Sequence, residues 1–398
     1  MAANDLTFEQ ISTILNAILV QANGINTIQI TDTSSFVTAG QEALKAGYDT
    51  LSTAVSQVLS KTIFSVRPYR SKFKGLEMSV QEYGNMTRKL SAVDKGFVDN
   101  ISIDPTAIVD GGSVDPYVIS VPLTQQLNWY GSTTFSKELT TYDWQLKQAL
   151  AGPEQMSSFV SMMMQNASDM LEQARENLKR MTLVNFIGAV IGNYSAQNIK
   201  LVTEYNAYTA ASPALTWADI CADATEYQRF MRFAYGRIAT MSSMLTERSA
   251  LYHTSLSGKT IMRHTPYEYQ RLYMLAQEKY GMEAQVLADA YHDNYLKYAD
   301  VETVNFWQSI TSPDEINVTP AYLETAGANA GEIVKGAAVN ATGIFAVLMD
   351  RDAAGIVQMD EAARTVYNGR GRYTNWFWDV TCRYFNDFSE NCLIFTLD

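Results

Sequence analysis

The chain has 398 residues, 47% hydrophobic and 18% charged, with 23 Tyr, 16 Phe and 6 Trp. That suffices for two or three compact regions or one elaborated fold, and the low charge fraction leaves uncharged surface of the kind used in protein–protein contacts. A net charge of −12 argues against a general nucleic-acid binder, and Cys221, Cys382 and Cys392, with no CxxC pair, exclude a disulfide framework and suit a reducing compartment.

The first residues lack a basic n-region, and the apolar cluster Ala17 to Val20 is far too short to cross a bilayer. Neither a secretory leader nor a membrane partner is expected, and the chain is expected to be made in the cytosol. Thr7 and Gln10 have capping-box spacing, and Phe8, Ile11, Leu15, Ile18 and Leu19 recur at helical intervals. The polar stretch Thr31 to Ser35 separates this helix from a second one, with Leu44, Leu51, Val55, Val58 and Leu59 on one face.

From about 64 to 135 the pattern changes. Leu76, Met78 and Val80 alternate with polar neighbours, and Tyr117, Val118, Ile119 and Val121 form a β-prone run. Asp104-Pro105, Asp110-Gly111-Gly112 and Asp115-Pro116 are turn signals between them. The expectation is a long antiparallel hairpin, marginal by itself and in need of another surface. Pro153 then opens the strongest element. Met156, Phe159, Val160, Met163, Ala167, Met170, Leu171, Leu178 and Val184 follow helical spacing, opposite Glu172, Arg175, Glu176, Lys179 and Arg180. One helix of about 35 to 40 residues is predicted, far above the usual length.

After Pro213 the segment from Trp217 to about Leu245 reads as helix, and Thr265-Pro266-Tyr267-Glu268 reads as the start of another that runs to Gly281. Residues 300 to 342 read as loop-rich. Four strands close the chain: Ile344 to Met349, Gly355 to Met359, Asn375 to Phe385 and Cys392 to Leu397.

Charge is uneven. Lys61 to Lys95 holds eight basic and three acidic residues, whereas Glu283 to Glu332 holds nine acidic residues and only Lys297. Copies of one chain could pair such regions, which orients association more than it tightens it. The candidates for contact between copies are Arg70, Lys72, Lys74, Arg88 and Lys89 on the loop and Glu172 and Glu176 on the long helix.

Catalytic patterns are absent. Gly258-Lys259-Thr260 lacks the glycine of a phosphate-binding loop, because His253 stands in its place. His253, His264 and His292 have no metal-ligand spacing, and no GxSxG elbow exists. Asp350 and Asp352 read as turn residues. No cofactor or metal is expected.

Two stretches carry a family resemblance. One is Lys72-Phe73-Lys74-Gly75-Leu76-Glu77-Met78 leading to Met86-Thr87-Arg88-Lys89. The other is Ala346-Val347-Leu348-Met349-Asp350-Arg351-Asp352 followed by Val366-Tyr367-Asn368-Gly369-Arg370-Gly371 and Trp376-Phe377-Trp378. With the order of elements, they resemble the major capsid proteins of tailed phages, closest to those of short-tailed phages, whose fold encapsulins and the herpesvirus capsid floor share. The resemblance implies an α+β fold: an N-terminal arm and leading helices (1–65), an extended β-hairpin loop (66–134), a peripheral domain (135–213 and 343–398) with a spine helix (153–191), and an axial domain (214–342). It implies a virion coat protein, not an enzyme, whose copies form hexamers and pentamers of an icosahedral shell around double-stranded DNA with weak, non-specific proximity to it. A scaffolding protein, a portal protein and capsid decoration proteins are the implied partners. Some relatives cross-link a loop lysine, but nothing local marks Lys72, Lys74, Lys89 or Lys95 as reactive. The rival readings are an encapsulin-type nanocompartment, whose chains are usually shorter, and an enzyme with a dispersed site, which no motif supports. Deleting 71 to 125 is expected to leave a folded core unable to assemble.

Overall fold

A computed structural model describes residues 8–24, 30–47, 50–51, 53–55, 71–79, 86–93, 117, 119, 121, 123–256, 259–287 and 300–397. In chain order the first elements are α1 (Phe8–Asn23), α2 (Thr33–Lys45), β1 (Thr87–Ala92), β2 (Thr124–Trp129), β3 (Ser132–Tyr142) and α3 (Asp143–Ala149). The long helix α4 (Pro153–Asn193) follows, then β4 (Asn198–Lys200), α5 (Leu201–Thr209), α6 (Trp217–Ala222) and α7 (Ala224–Met244). β5 (Gln270–Leu275), α8 (Ala276–Leu287), β6 (Asp300–Val304), β7 (Ile316–Val318), β8 (Ala321–Leu323), β9 (Ile333–Lys335) and β10 (Val339–Ala341) come next. β11 (Ile344–Asp350), β12 (Ala354–Asn368), β13 (Tyr373–Asn386) and β14 (Cys392–Thr396) complete the order. The chain divides into two compact units, residues 1–84, 131–179 and 356–384, and residues 85–130, 180–355 and 385–398.

In the first unit the amphipathic pattern of α1 is realised: Ile11, Ile14, Leu15, Ile18 and Leu19 are buried. The polar stretch before α2 is its cap, since Asp32 Oδ1 accepts from Ser35 N at 2.7 Å and Ser35 Oγ accepts from Asp32 N at 3.0 Å. The expected second helix does not run on to Val55. It ends at Ala46, and Gly47 takes φ +89, a left-handed stop that glycine adopts without penalty. Leu51 and Val55 are still buried, while Thr7, Val58 and Leu59 lie outside the described residues. These helices share one core with Leu146, Leu150, Met156, Phe159 and Trp376.

The sheet of this unit has the order β12-β13-β3. One face of β13 is apolar, with Trp376 donating its indole N–H to Thr141 Oγ1 at 2.7 Å and Val380 and Cys382 packed against Leu171 and Leu178 of α4. The opposite face carries a polar ladder in which Thr140 donates to Asn375 at 2.8 Å and Ser136 to Asp379 at 2.5 Å.

α4 has 41 residues, about 60 Å of helix. Pro153 starts it, where a missing N–H costs nothing, and no later proline interrupts it. From Arg180 onward it belongs to the second unit, where Gly188 and Gly192 admit the β7–β10 ribbon. A Cβ at those positions would stand 2.5 Å from Val318 and 2.8 Å from Val339.

The second unit is built on a sheet of order β4-β14-β11-β5-β6, antiparallel in its centre and parallel at both edges. β11 and β14 are buried at every position, which is why their sequences are unbroken apolar runs. Helices α5 to α8 cover one face through Tyr205, Phe230, Ile238 and Met282.

Three expectations are corrected here. The helix predicted from Thr265 is a single 3-10 turn at Tyr267–Tyr269, followed by strand β5, and helix begins only at Ala276. Pairing of Arg271 to Met274 with β11 outweighs the local capping signal, and Thr265 Oγ1 instead bonds Asp350 at 2.7 Å. The helix from Trp217 breaks at Asp223, whose carboxylate caps α7 through Thr225 N at 2.8 Å. The segment 300–342 contains the ribbons β7–β10 and β8–β9 as well as β6. Of the closing strands, β11 and β14 fall in the second unit and most of β12 and β13 in the first.

Glu278 of α8 is 5% exposed, and its Oε2 has no hydrogen-bond partner among the described residues. Burial, with a smaller push from the Asp314 carboxylate, raises its pKa to about 7. The native state therefore keeps a proton that the unfolded chain loses above about 4.5, so stability falls as pH rises from there to about 7. Glu278→Gln is expected to gain about 3 kcal/mol near pH 8 and nothing near pH 4, read from urea unfolding at both pH values.

Candidate assembly surfaces

In the first unit α4 presents Glu172, Glu176 and Lys179 on one face, at i, i+4 and i+7, and the segment 71–79 lies against them. Ser71 N donates to Glu172 Oε2 at 3.4 Å and Lys72 N to Glu176 Oε2 at 3.2 Å. Lys179, only 1% exposed, donates to Ser71 Oγ at 2.7 Å, to the Lys72 carbonyl at 3.4 Å and to the Glu77 carboxylate. Glu77 forms a parallel bridge with Ile356, and Met78 N donates to the Ile356 carbonyl at 3.0 Å.

The strand expected from the alternation of Leu76 and Met78 is therefore not formed. Phe73 turns the chain at φ +60, a left-handed conformation that costs a bulky residue about 1 kcal/mol or more. Burial of Phe73 and Leu76 offsets it. Of the residues singled out by sequence, Lys72, Glu172 and Glu176 meet here, through the lysine's backbone. Lys74 is exposed and Arg70 lies outside the described residues.

In the second unit β1 and β2 pair from Thr87↔Trp129 to Ala92↔Thr124. Lys89 points inward and binds both Asp387 and Glu390. Arg263 joins them, 3.5 Å from Glu390 and donating to Ser91 Oγ at 2.7 Å and the Ser389 carbonyl at 3.2 Å. Asp387 Oδ1 accepts from Ser389 N at 2.9 Å and Ser389 Oγ at 2.6 Å. Burial raises the Glu390 carboxyl above its ordinary range, and Lys89 and Arg263 oppose that shift. Trp129 closes the root, donating to the Asn386 carbonyl at 3.2 Å and packing 5.3 Å from Phe385. Arg88, one residue from Lys89, faces outward and is exposed.

Sequence reading missed Asp387, Glu390, Arg263 and Lys179 as partners. Each lies a hundred residues or more from the group it binds, and the one available signal was charged residues set among apolar neighbours.

Ahead of β2, and at one position of β1, lies a row of exposed apolar residues. Tyr117 and Ile119 are each 85% exposed, Val121 is 62% exposed, and Leu123 and Leu90 are also open to solvent. A row of this kind marks an interaction surface.

Chemistry-bearing residues are placed otherwise. His253 is buried, with its ring nitrogens 3.1 Å from Asn391 Oδ1 and 2.7 Å from the Ile261 carbonyl, and burial lowers its pKa. His264 is exposed, and Gly258 and His292 lie outside the described residues. Asp350 is a turn residue, accepting from Asp352 N at 2.9 Å. Among the described residues no group of three or more His, Cys, Asp and Glu could hold a metal, and no helix is long and apolar enough to cross a membrane.

The fold is that of phage capsid subunits. The capsid structure of Staphylococcus phage Andhra aligns with a TM-score of 0.56 at 9% identity, covering 83% of this chain and 85% of that one. A structure of native bacteriophage P68, described by its head fiber and inner core protein, aligns with a TM-score of 0.55 at 9% identity, covering 83% and 86%. Residues 11–396 match the model of the Phi29-like phage major capsid protein family, and the chain belongs to that family. No curated protein matches it by sequence. The chain is thus a coat protein of the virion, and copies of it build the phage head shell.

Lys179→Ala is expected to cost about 3 kcal/mol, because Ser71, Lys72 and Glu77 lose a partner within packed surroundings. Urea unfolding measures it, and limited proteolysis should cut near residues 71–79 faster than in the unaltered chain.

Proposed function

We propose that residues 66–134 form an extended loop that lies on a neighbouring copy, and that this overlap holds the shell together. The carrying observation is the solvent-exposed residues Tyr117, Ile119, Val121 and Leu123 ahead of β2, whose partner strand β1 is anchored through Lys89 to the buried carboxylates of Asp387 and Glu390. Apolar side chains this exposed gain burial when another molecule covers them. In this reading 135–213 and 343–398 act as the peripheral domain, 214–342 as the axial domain of hexamers and pentamers, and 1–65 as the leading helices. Arg70, Lys74 and Arg88 are contacts to neighbouring copies. Glu172 and Glu176 act first by seating the start of the loop. The icosahedral shell encloses double-stranded DNA, assembled with a scaffolding protein, a portal and decoration proteins, and the chain has no enzymatic role. Membership of a phage capsid family favours this over a nanocompartment shell.

Deleting 71 to 125 is too blunt a test, because it strips Lys179 of Ser71, Lys72 and Glu77. Substituting Tyr117→Ser, Ile119→Ser and Val121→Ser together spares the core. Each apolar side chain is worth about 1.5 to 3 kcal/mol on burial, so the concentration needed for assembly should rise about a hundredfold or more while melting is unchanged. Sedimentation and electron microscopy read the outcome. Shells formed at the original concentration would remove the overlap role.

A further inference from the structure

The turn joining β12 to β13 is built by its own sequence. Asn368 Oδ1 accepts from Arg370 N at 3.1 Å and Gly371 N at 2.9 Å, and Asn368 Nδ2 donates to Tyr373 Oη at 3.0 Å. A Cβ at Gly371 would stand 2.3 Å from the Tyr373 ring, and Arg372 sits at φ +52 with its carbonyl accepting from Asp143 N at 3.1 Å. This fixed backbone holds Arg370 and Arg372 out to solvent, with Arg364 exposed on β12 beside them. None of the three guanidinium groups has an ion pair or hydrogen bond among the described residues.

The second unit carries the opposite cluster. Glu324 and Glu332 face each other where the β8–β9 ribbon ends, Glu324 N donating to the Glu332 carbonyl at 3.0 Å, beside the pair Leu323↔Ile333. Carboxylates directly across an antiparallel pair repel. Residues 300–334 hold six acidic side chains and no Lys or Arg, and the cation that follows, Lys335, pairs across the ribbon with Ala321 and not with either glutamate.

We propose that the arginine turn of one copy docks on the Glu324/Glu332 ribbon of a second copy in the shell, an inference that rests on the coat-protein reading. Each cluster is self-repelling alone, and pairing relieves both. Guanidinium forks suit carboxylates, which they bind through two parallel hydrogen bonds. The contact joins two different patches of the same chain, the head-to-tail kind from which closed rings are made. Phosphates of packaged nucleic acid are the weaker occupant. A chain of net charge −12 repels them, and three cations neutralise few.

The test uses full-length chains expressed as the unaltered protein is, with its scaffold. One carries Arg370→Glu and Arg372→Glu, the other Glu324→Arg and Glu332→Arg. Thermal melts verify folding, and if a reversed chain melts early, the neutral Arg370→Ser/Arg372→Ser chain carries the comparison. Each reversed chain alone should lose shell yield roughly tenfold or more, and an equal mixture of the two should recover it, because the acidic turn of one meets the basic ribbon of the other. Undiminished shells from either reversed chain, or a mixture no better than its components, would overturn the contact. So would normal shells that retain less nucleic acid, which would assign the arginines to phosphate. Absence of shells from the unaltered chain would overturn the coat-protein reading, and this contact with it.

Discussion

A buried ammonium group must be satisfied on every side, and that requirement organises the functional parts of this chain. Lys179 is enclosed by the first unit and has Ser71, Lys72 and Glu77 as partners. Lys89, half-buried, is held in the second by the buried carboxylates of Asp387 and Glu390. Taking such a charge out of water costs several kcal/mol, offset only when its partners stand in one arrangement. An apolar contact tolerates sliding, but these do not. Each clasp therefore fixes its own segment, residues 71–79 in the first unit and the β1–β2 pair in the second.

The two clasps are built differently. In the first the lysine comes from a helix and its partners from an irregular segment, so α4 supplies the rigidity. In the second the lysine comes from a strand, and a turn tied by Asp387 to Ser389 supplies it. Beyond the root, polarity reverses: Lys89 and Ser91 face inward while Leu90 and the row from Tyr117 to Leu123 face solvent. Polar groups inside and apolar groups outside is the arrangement of a surface made for a partner.

The local character of the long helix and of the closing strands could be read directly. Pro153, the three-four spacing and the absence of an interior proline predict a helix of about 35 to 40 residues, against 41 observed. The closing strands β11 and β14 are legible because burial on both faces leaves them uniformly apolar. Of the candidates for contact between copies, Lys72, Glu172 and Glu176 meet one another within the chain. The central residue there, Lys179, read only as part of a polar helix face.

Period, capping residues and charge totals were determined by the sequence alone, because they arise between neighbours a few residues apart. They gave α1, α4 and the four closing strands. What only the tertiary structure decided was which partner each residue meets: that Thr265 bonds Asp350 and does not cap a helix, that Leu76 belongs to a turn, and that the closing strands serve two units. Those outcomes rest on groups that are far apart along the chain. The free energy of pairing them exceeds the few tenths of a kcal/mol, roughly, by which local preferences differ.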